Sequence, residues 1–142
     1  MEEDLKKLYD EGKKAFGFYC GKGEWFLLTL KNIDIMSQML PNVSKASQSL
    51  DVSVLHTLIL EKIFGIDKEN MAKQINLTYT KFFTEAIDGV DKGEFQCSFV
   101  LNPTRVTEIR DVAAAGEKMP QKSTYFYPKM ITGMVMNNLG VD

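Results

Sequence analysis

Apolar residues in the middle of the chain recur at spacings of three and four, the pattern of a helix that packs one side against a core. The pattern covers residues 52–64 and predicts a deeply packed helix, with Asp51 as its N-cap and Gly65 at its C-terminal end. The apolar positions are Val52, Leu55, Ile59 and Ile63, widened by Leu58 and Leu60.

Weaker patterns predict further helices. Acidic residues open the stretch 2–14 and lysines close it, which suits the helix dipole. The pair Asn102-Pro103 combines a capping residue with a proline at the first helical position, so a helix is predicted from there to about Ala115. The serine-rich stretch 42–50 is predicted to be a loop. The other predicted helices are Ile33–Leu40, Asp67–Lys73 and Lys81–Asp91.

Strands are predicted where apolar and polar residues alternate, or where aromatic runs flank a turn. Phe16–Cys20 and Glu24–Lys31 flank the turn Gly21-Lys22-Gly23, which is the strongest hairpin signal in the chain. Residues 94–101 alternate cleanly and place Cys97 on the apolar face, where a packed thiol is expected. Further strands are predicted at Ile75–Tyr79, Thr124–Tyr127 and Gly133–Met136.

Together these elements predict a single α+β domain over residues 1–142, with a mixed, mainly antiparallel sheet packed against helices. The hairpin requires antiparallel pairing, whereas the strand–helix–strand unit at 75–101 is compatible with either direction. The chain has 142 residues, of which 44% are hydrophobic and 25% charged. These values are typical of one globular domain and exclude a disordered, collagen-like or coiled-coil protein.

The charge pattern limits the partners that the chain is expected to have. The formal net charge is −2, so the chain as a whole attracts neither nucleic acid nor anionic lipid, and neither is predicted as a partner. No apolar run approaches the roughly 20 residues that span a bilayer, and the acidic start Met1–Asp4 does not resemble a signal peptide. The expectation is a cytoplasmic protein with two free thiols, Cys20 and Cys97.

The sequence lacks the best-marked catalytic and cofactor motifs. His56 is the single histidine, and with two distant cysteines it does not make a zinc site. Phosphate-binding glycine loops, dinucleotide fingerprints and nucleophile elbows are also absent, so no cofactor, metal or catalytic residue is predicted. His56 is expected to be buried or half-buried and bonded to the backbone. The alternative is a general acid or base, which requires a partner side chain within reach.

Residues 118–129 concentrate lysines, hydroxyls and aromatic residues in a stretch with two prolines. Ammonium and hydroxyl groups on such a loop suit a phosphate or a carboxylate, and the helix start at 102–105 offers a second set of donors. If the two segments meet, they predict an anion site. The alternative is that these residues are helix caps and solvated surface charge. The candidate residues are Asn102, Thr104, Arg105, Lys122, Ser123, Thr124, Tyr125 and Lys129.

The same region carries a family resemblance. Asn102-Pro103-Thr104, Ala115–Glu117, Met119–Lys129 and Thr132-Gly133 resemble the C-terminal part of the uncharacterised prokaryotic family called domain of unknown function 1015. Members are usually longer, and their N-terminal half carries an Asp-Gly-His-His-Arg-like motif that is not found here. The resemblance implies that this chain is the C-terminal part of a longer protein. It implies no ligand, because the family has no secure function.

Three functions are compatible with these residues. The leading hypothesis is the binding of an anionic small metabolite, such as a phosphorylated one, at the predicted anion site. The alternative is an interaction or dimerisation module that docks on a missing N-terminal domain or on a second copy. The third is an enzyme that uses His56 or Lys122, although no nucleophile–base pair can be identified. The apolar patch of the interaction module would consist of Tyr125, Tyr127, Met130, Met134 and Met136.

Overall fold

The computed structural model describes residues 1–125, which form seven α-helices, one π-helix and three strands. The predicted strand 133–136 and part of that at 124–127 lie outside the described residues, and Thr124 and Tyr125 are not in a strand. The elements are α1 (Glu2–Asp10), β1 (Ala15–Tyr19), β2 (Trp25–Thr29), α2 (Ile35–Met39), α3 (Lys45–Gln48), α4 (Asp51–Val54), the π-helix (Leu55–Glu61), α5 (Lys68–Lys73), α6 (Phe83–Asp91), β3 (Ser98–Val100) and α7 (Val106–Ala114).

The three strands form one antiparallel sheet in the order β2-β1-β3, which confirms the predicted α+β fold and its N-terminal hairpin. The hairpin turn needs left-handed backbone at Gly21 (φ +92°) and Gly23 (φ +76°), which glycine adopts without steric cost. The hydroxyl of Tyr19 accepts the Gly23 N–H at 3.1 Å and donates to Asp91 of α6 at 2.6 Å. The turn is therefore held against α6.

The two faces of the sheet are covered by different helices. Phe16 points into the main core, which α2, the π-helix and α5 complete. On the opposite face α1 lies close to β1, where a Cβ atom on Gly17 would stand 3.4 Å from Cδ1 of Leu5. On that face Trp25 also stacks on Phe83 of α6, with ring centroids 5.6 Å apart. The buried residues of the main core are Phe16, Met36, Val54, Leu55, Leu60 and Met71.

The predicted start of the last helix at Asn102-Pro103 is wrong, because α7 begins at Val106 with Arg105 as N-cap. The Asn102 amide does not cap a helix, since it donates to the backbone carbonyl of Leu5 at 3.1 Å. The true cap contact is local: the Glu108 carboxylate accepts the Arg105 N–H at 2.9 Å. A tertiary contact to α1 has replaced the cap that the local sequence favours.

Three other predictions are corrected. Residues 75–79 are not a strand, and Ile75 is 62% exposed. The strand predicted over 94–101 is reduced to β3, because the N–H groups of Glu94 and Phe95 donate to the carbonyl of Gly89 and close the end of α6. The predicted loop 42–50 contains α3, whose first turn is capped when the Ser44 hydroxyl accepts the Ser47 N–H.

Candidate functional site

The helix predicted over residues 52–64 is present, but its central part is the π-helix, in which each N–H bonds to the carbonyl five residues earlier. Side chains five residues apart therefore lie on one side. Leu55 and Leu60 are both buried in the main core, whereas Ile63 is 73% exposed. The predicted apolar stripe is wrong at Ile63 because it assumed α-helical spacing. Such π-helical turns are rare and concentrate at functional sites.

A cleft of about 390 Å³ lies beside the π-helix, and we call it the His56 cleft. Its volume is within the range of small-molecule sites. His56 and Glu61 both line it, although α-helical geometry would place residues five apart about 140° from each other. The π-helix thus brings an imidazole and a carboxylate to the same cleft. The other polar residues that line it are Ser47, Ser53, Thr57, Lys68, Glu117 and Lys118.

His56 is half-buried, as predicted, and its ring meets the ring of Tyr79 edge-on at 6.4 Å between centroids. Burial lowers the pKa of His56, so the imidazole is neutral at pH 7. The predicted hydrogen bond from His56 to the backbone is not present within residues 1–125. The hydroxyls of Ser53 and Thr57, also in the cleft wall, form no hydrogen bond with any other described residue. Three polar side chains are therefore available to a ligand.

Glu117 holds another part of the cleft wall in place. Its carboxylate accepts the Ser44 N–H at 2.7 Å, the Ser44 hydroxyl at 2.7 Å and the Ser47 hydroxyl. The hydrogen bonds from Ser47 and Ser44 lower the pKa of Glu117, so it stays ionised and keeps these contacts at neutral pH. They fix the backbone next to Lys118, which lines the cleft together with Lys68 at the start of α5.

The two segments of the predicted anion site do meet, because the Thr104 hydroxyl donates to the carbonyl of Ser123 at 3.0 Å. The other donors, however, have intramolecular partners. Arg105 pairs with Asp10 and lies over the Tyr9 ring at 4.1 Å. The Ser123 hydroxyl donates to the Pro120 carbonyl at 2.6 Å. Asn102 is bonded to α1. Four of the eight candidate residues therefore form contacts within the fold: Asn102, Thr104, Arg105 and Ser123.

The remaining candidates of that site have different surroundings. Lys122 is exposed and has left-handed backbone, with φ +60°. The Tyr125 hydroxyl accepts a hydrogen bond from Lys81 at 2.9 Å, and the same ammonium lies 4.2 Å from the ring centroid. Lys129 and the predicted interaction residues Tyr127, Met130, Met134 and Met136 lie outside the described residues. Thr124 is half-buried.

A polar cluster that the sequence did not reveal joins α1, α4 and α7. Asp51 is not an N-cap, since Leu50 holds that position; its buried carboxylate lies 2.9 Å from the Lys14 ammonium. Glu108 lies 3.8 Å from the same ammonium and accepts the Tyr9 hydroxyl at 2.6 Å. Burial raises the pKa of Asp51, and Lys14 opposes the rise. The cluster borders a second cleft of about 440 Å³ that contains Tyr9 and Arg105.

Comparisons with protein-family models, with curated proteins and with solved structures gave no significant match. The resemblance to domain of unknown function 1015 therefore stays a prediction. Within residues 1–125, no helix has the length and apolarity that crossing a membrane requires. The same part of the chain contains no group of three or more His, Cys, Asp or Glu side chains placed to hold a metal ion.

The depressed pKa of His56 predicts a pH dependence of stability. The unfolded chain binds the imidazole proton at higher pH than the folded one, so stability is full above about pH 6.5 and falls as the pH drops toward the folded-state pKa. Urea unfolding of wild type and His56→Asn between pH 7.5 and 5 measures the effect. The wild type is expected to lose more stability over this range than the variant. Equal losses in the two proteins would contradict the assignment.

Proposed function

We propose that the chain binds a small anionic metabolite, with a phosphate or a carboxylate group, in the His56 cleft. The observation that carries the proposal is the position of three polar side chains that form no hydrogen bond with the described residues, Ser53, His56 and Thr57, in one cleft with Lys68 and Lys118. Polar groups that are partly buried and unpaired gain hydrogen bonds when a ligand replaces water. The arrangement therefore favours a ligand with several acceptor oxygens.

The charges of the cleft indicate how such a ligand would be held. Lysine ammonium groups act as point charges for phosphate, and Lys68 and Lys118 provide two of them. The hydroxyls of Ser53 and Thr57 and the neutral imidazole supply shorter, directional hydrogen bonds. Glu61 is the one cleft carboxylate not already bound by side chains of the described region, and it would accept a hydroxyl or amine of the same ligand.

The ligand class is the one predicted from the sequence, but the site lies in a different place. Lys118 belongs to the 118–129 tract, so the tract still contributes a cation. Residues 102–105 are placed elsewhere, because Asn102, Thr104 and Arg105 bond to α1 and to Ser123. The walls of the proposed site come instead from α4, the π-helix, α5 and the segment around Glu117.

The single histidine gives a clean spectroscopic test. The imidazole proton resonances of His56 are expected to shift when inorganic phosphate, phosphoserine or a nucleotide is added at millimolar concentration. Lys118→Gln should raise the dissociation constant about 5- to 10-fold, the effect of one partly solvated charge contact. Lys122→Gln is the matched control, since it removes an exposed lysine from the same tract outside the cleft, and it should leave the constant unchanged.

Two results would overturn the proposal. The first is that none of these anions shifts the His56 resonances. The second is that Lys122→Gln weakens binding as much as Lys118→Gln, which would indicate a general attraction to lysine-rich surface. Circular dichroism of each variant establishes that the fold is intact before the titration is compared.

A further inference from the structure

The two cysteines lie opposite each other at one end of the β1–β3 ladder. The antiparallel register pairs Gly17 with Val100, Phe18 with Phe99 and Tyr19 with Ser98. Neither cysteine belongs to a strand, but the same register continued by one residue along both chains places Cys20 opposite Cys97. The two thiols are near enough to interact electrostatically. Both thiols are free; Cys20 is exposed and Cys97 is half-buried. No local pattern predicts this pairing, because the two residues are far apart along the chain and share no motif.

The hydrogen bonds of β1 determine which kind of cross-strand pair this is. The Cys20 N–H donates to the Glu24 carbonyl at 3.3 Å, so the backbone groups of Cys20 face the β2 side. Toward Cys97 the residue is therefore in a non-hydrogen-bonded position, where opposite Cα atoms are about 4.5 Å apart and the side chains are closest. A disulfide needs Cα atoms roughly 4.4–6.8 Å apart. The backbone spacing is thus compatible with a disulfide.

The neighbouring pair of the same kind shows that side chains on this face touch across the ladder. Phe18 and Phe99 lie on the same face as Cys20 and Cys97, one non-hydrogen-bonded pair away. Their rings are stacked, with centroids 4.9 Å apart. Because residues two positions apart on a strand share a face, the same cross-strand approach is expected for the side chains of Cys20 and Cys97.

We propose that Cys20 and Cys97 form a reversible intramolecular disulfide by exchange with a small-molecule disulfide. The Cys20 thiolate attacks one sulfur of the reagent, whose S–S bond breaks to release one thiolate and leave a mixed disulfide on Cys20. The Cys97 thiolate then attacks the Cys20 sulfur and displaces the second thiolate. The two protein thiols lose two electrons and two protons, and the reagent takes up both to become two thiols.

The surroundings of the two thiols set the order of attack. Cys20 is exposed and reaches the reagent first. Burial raises the pKa of Cys97, and the neighbouring Cys20 raises it further, so Cys97 is the less reactive thiol and acts as the resolving one. The disulfide would tie the hairpin to the segment that joins α6 to β3. The hydrogen bond from the Tyr19 hydroxyl to Asp91 already holds the hairpin close to α6.

The test uses the full chain under native conditions, with glutathione and glutathione disulfide as the redox buffer. Mass spectrometry after alkylation of the remaining thiols measures the fraction with the Cys20–Cys97 disulfide. We expect the equilibrium constant for ring closure to be 10²- to 10³-fold larger in buffer than in 8 M urea, since the fold holds the thiols together. The oxidised protein should melt about 5–10 °C higher, and dithiothreitol should reverse the change.

Single-cysteine variants separate the two steps. Cys97→Ser should accumulate the glutathione adduct on Cys20, whereas Cys20→Ser should react slowly at Cys97. Alanine replaces serine at either position if circular dichroism shows that the serine variant is unfolded. Three results would overturn the proposal: a wild-type protein that stops at the mixed disulfide, one that forms only intermolecular disulfides, or equal ring closure in buffer and in urea.

Discussion

Replacement of Leu60 with alanine is expected to lower the free energy of unfolding by about 2–5 kcal/mol, whereas Ile63→Ala should change it by less than about 0.5 kcal/mol. Leu60 is 3% exposed in the main core and Ile63 is 73% exposed. The first substitution leaves a cavity among core side chains, while the second removes atoms that are largely in water already. Urea unfolding monitored by far-ultraviolet circular dichroism gives both values.

Leu60→Ala and Ile63→Ala together test whether the helix has π-helical or α-helical spacing. Both positions lie in or just after the same helix, both lose large aliphatic side chains, and alanine has the higher helix propensity in both cases. The predicted α-helical stripe includes Ile63 as a core position, so it predicts a large loss there. The π-helical spacing instead pairs Leu55 with Leu60. Similar losses for the two variants would argue for the α-helical register and against the geometry of the His56 cleft.

Local signals predicted those parts of the fold that short-range chemistry controls. The glycines at 21 and 23 set the hairpin, because the turn requires left-handed backbone. The short helix predicted at Asp67–Lys73 is α5, and the carboxylate of Asp67 caps it by accepting the Asn70 N–H at 2.8 Å. In both cases the partner is within four residues, so the sequence contains the complete interaction.

Predictions failed where a distant residue takes the place of the local partner. Asn102 and Asp51 both have the chemistry of an N-cap, but Asn102 bonds to the backbone of Leu5 and Asp51 pairs with Lys14. The π-helix also depends on distant contacts, because Leu55 and Leu60 pack into the main core. Its five-residue spacing leaves no simple periodic pattern of apolar residues in the sequence. At these positions tertiary contacts override the local preferences for helix capping and α-helical geometry.

In the candidate site, too, single residues were predicted from the sequence, but the contacts that bring them together were not. His56 was identified as a candidate and as half-buried from the sequence, and Lys118 as part of an unusual tract. Their meeting in one cleft depends on Glu117, whose carboxylate binds Ser44 and Ser47 more than sixty positions earlier. No local pattern encodes that contact. Similarly, the cross-strand position of Cys97 opposite Cys20 follows only from the β1–β3 pairing.

The largest loss of stability is expected when Lys14 is replaced with methionine. Lys14 is 16% exposed and Asp51 is 8% exposed, so the substitution leaves a carboxylate buried without its counter-charge. Removal of one partner of such a pair lowers the free energy of unfolding by about 3–5 kcal/mol. Asp51→Asn should lower it less, because Glu108 remains 3.8 Å from the Lys14 ammonium and compensates part of its charge. Urea unfolding at pH 7 measures both.

The pH dependence of this loss identifies its cause. Without Lys14, burial and the nearby Glu108 charge raise the folded-state pKa of Asp51 further above the ordinary 3.8, opposed only by the charge of Arg105. The folded carboxyl then binds a proton at higher pH than the unfolded one. The contribution of Asp51 to the free energy of unfolding is therefore most favourable at low pH and is lost as the pH rises through the folded-state pKa. The deficit of Lys14→Met should therefore shrink between pH 7 and pH 5. The double variant Lys14→Met/Asp51→Leu should recover most of the loss, since it leaves no buried charge from the pair. A deficit that is the same at both pH values, and that the second substitution does not reduce, would mean that the Lys14 ammonium stabilises the fold through Glu108 and not through Asp51.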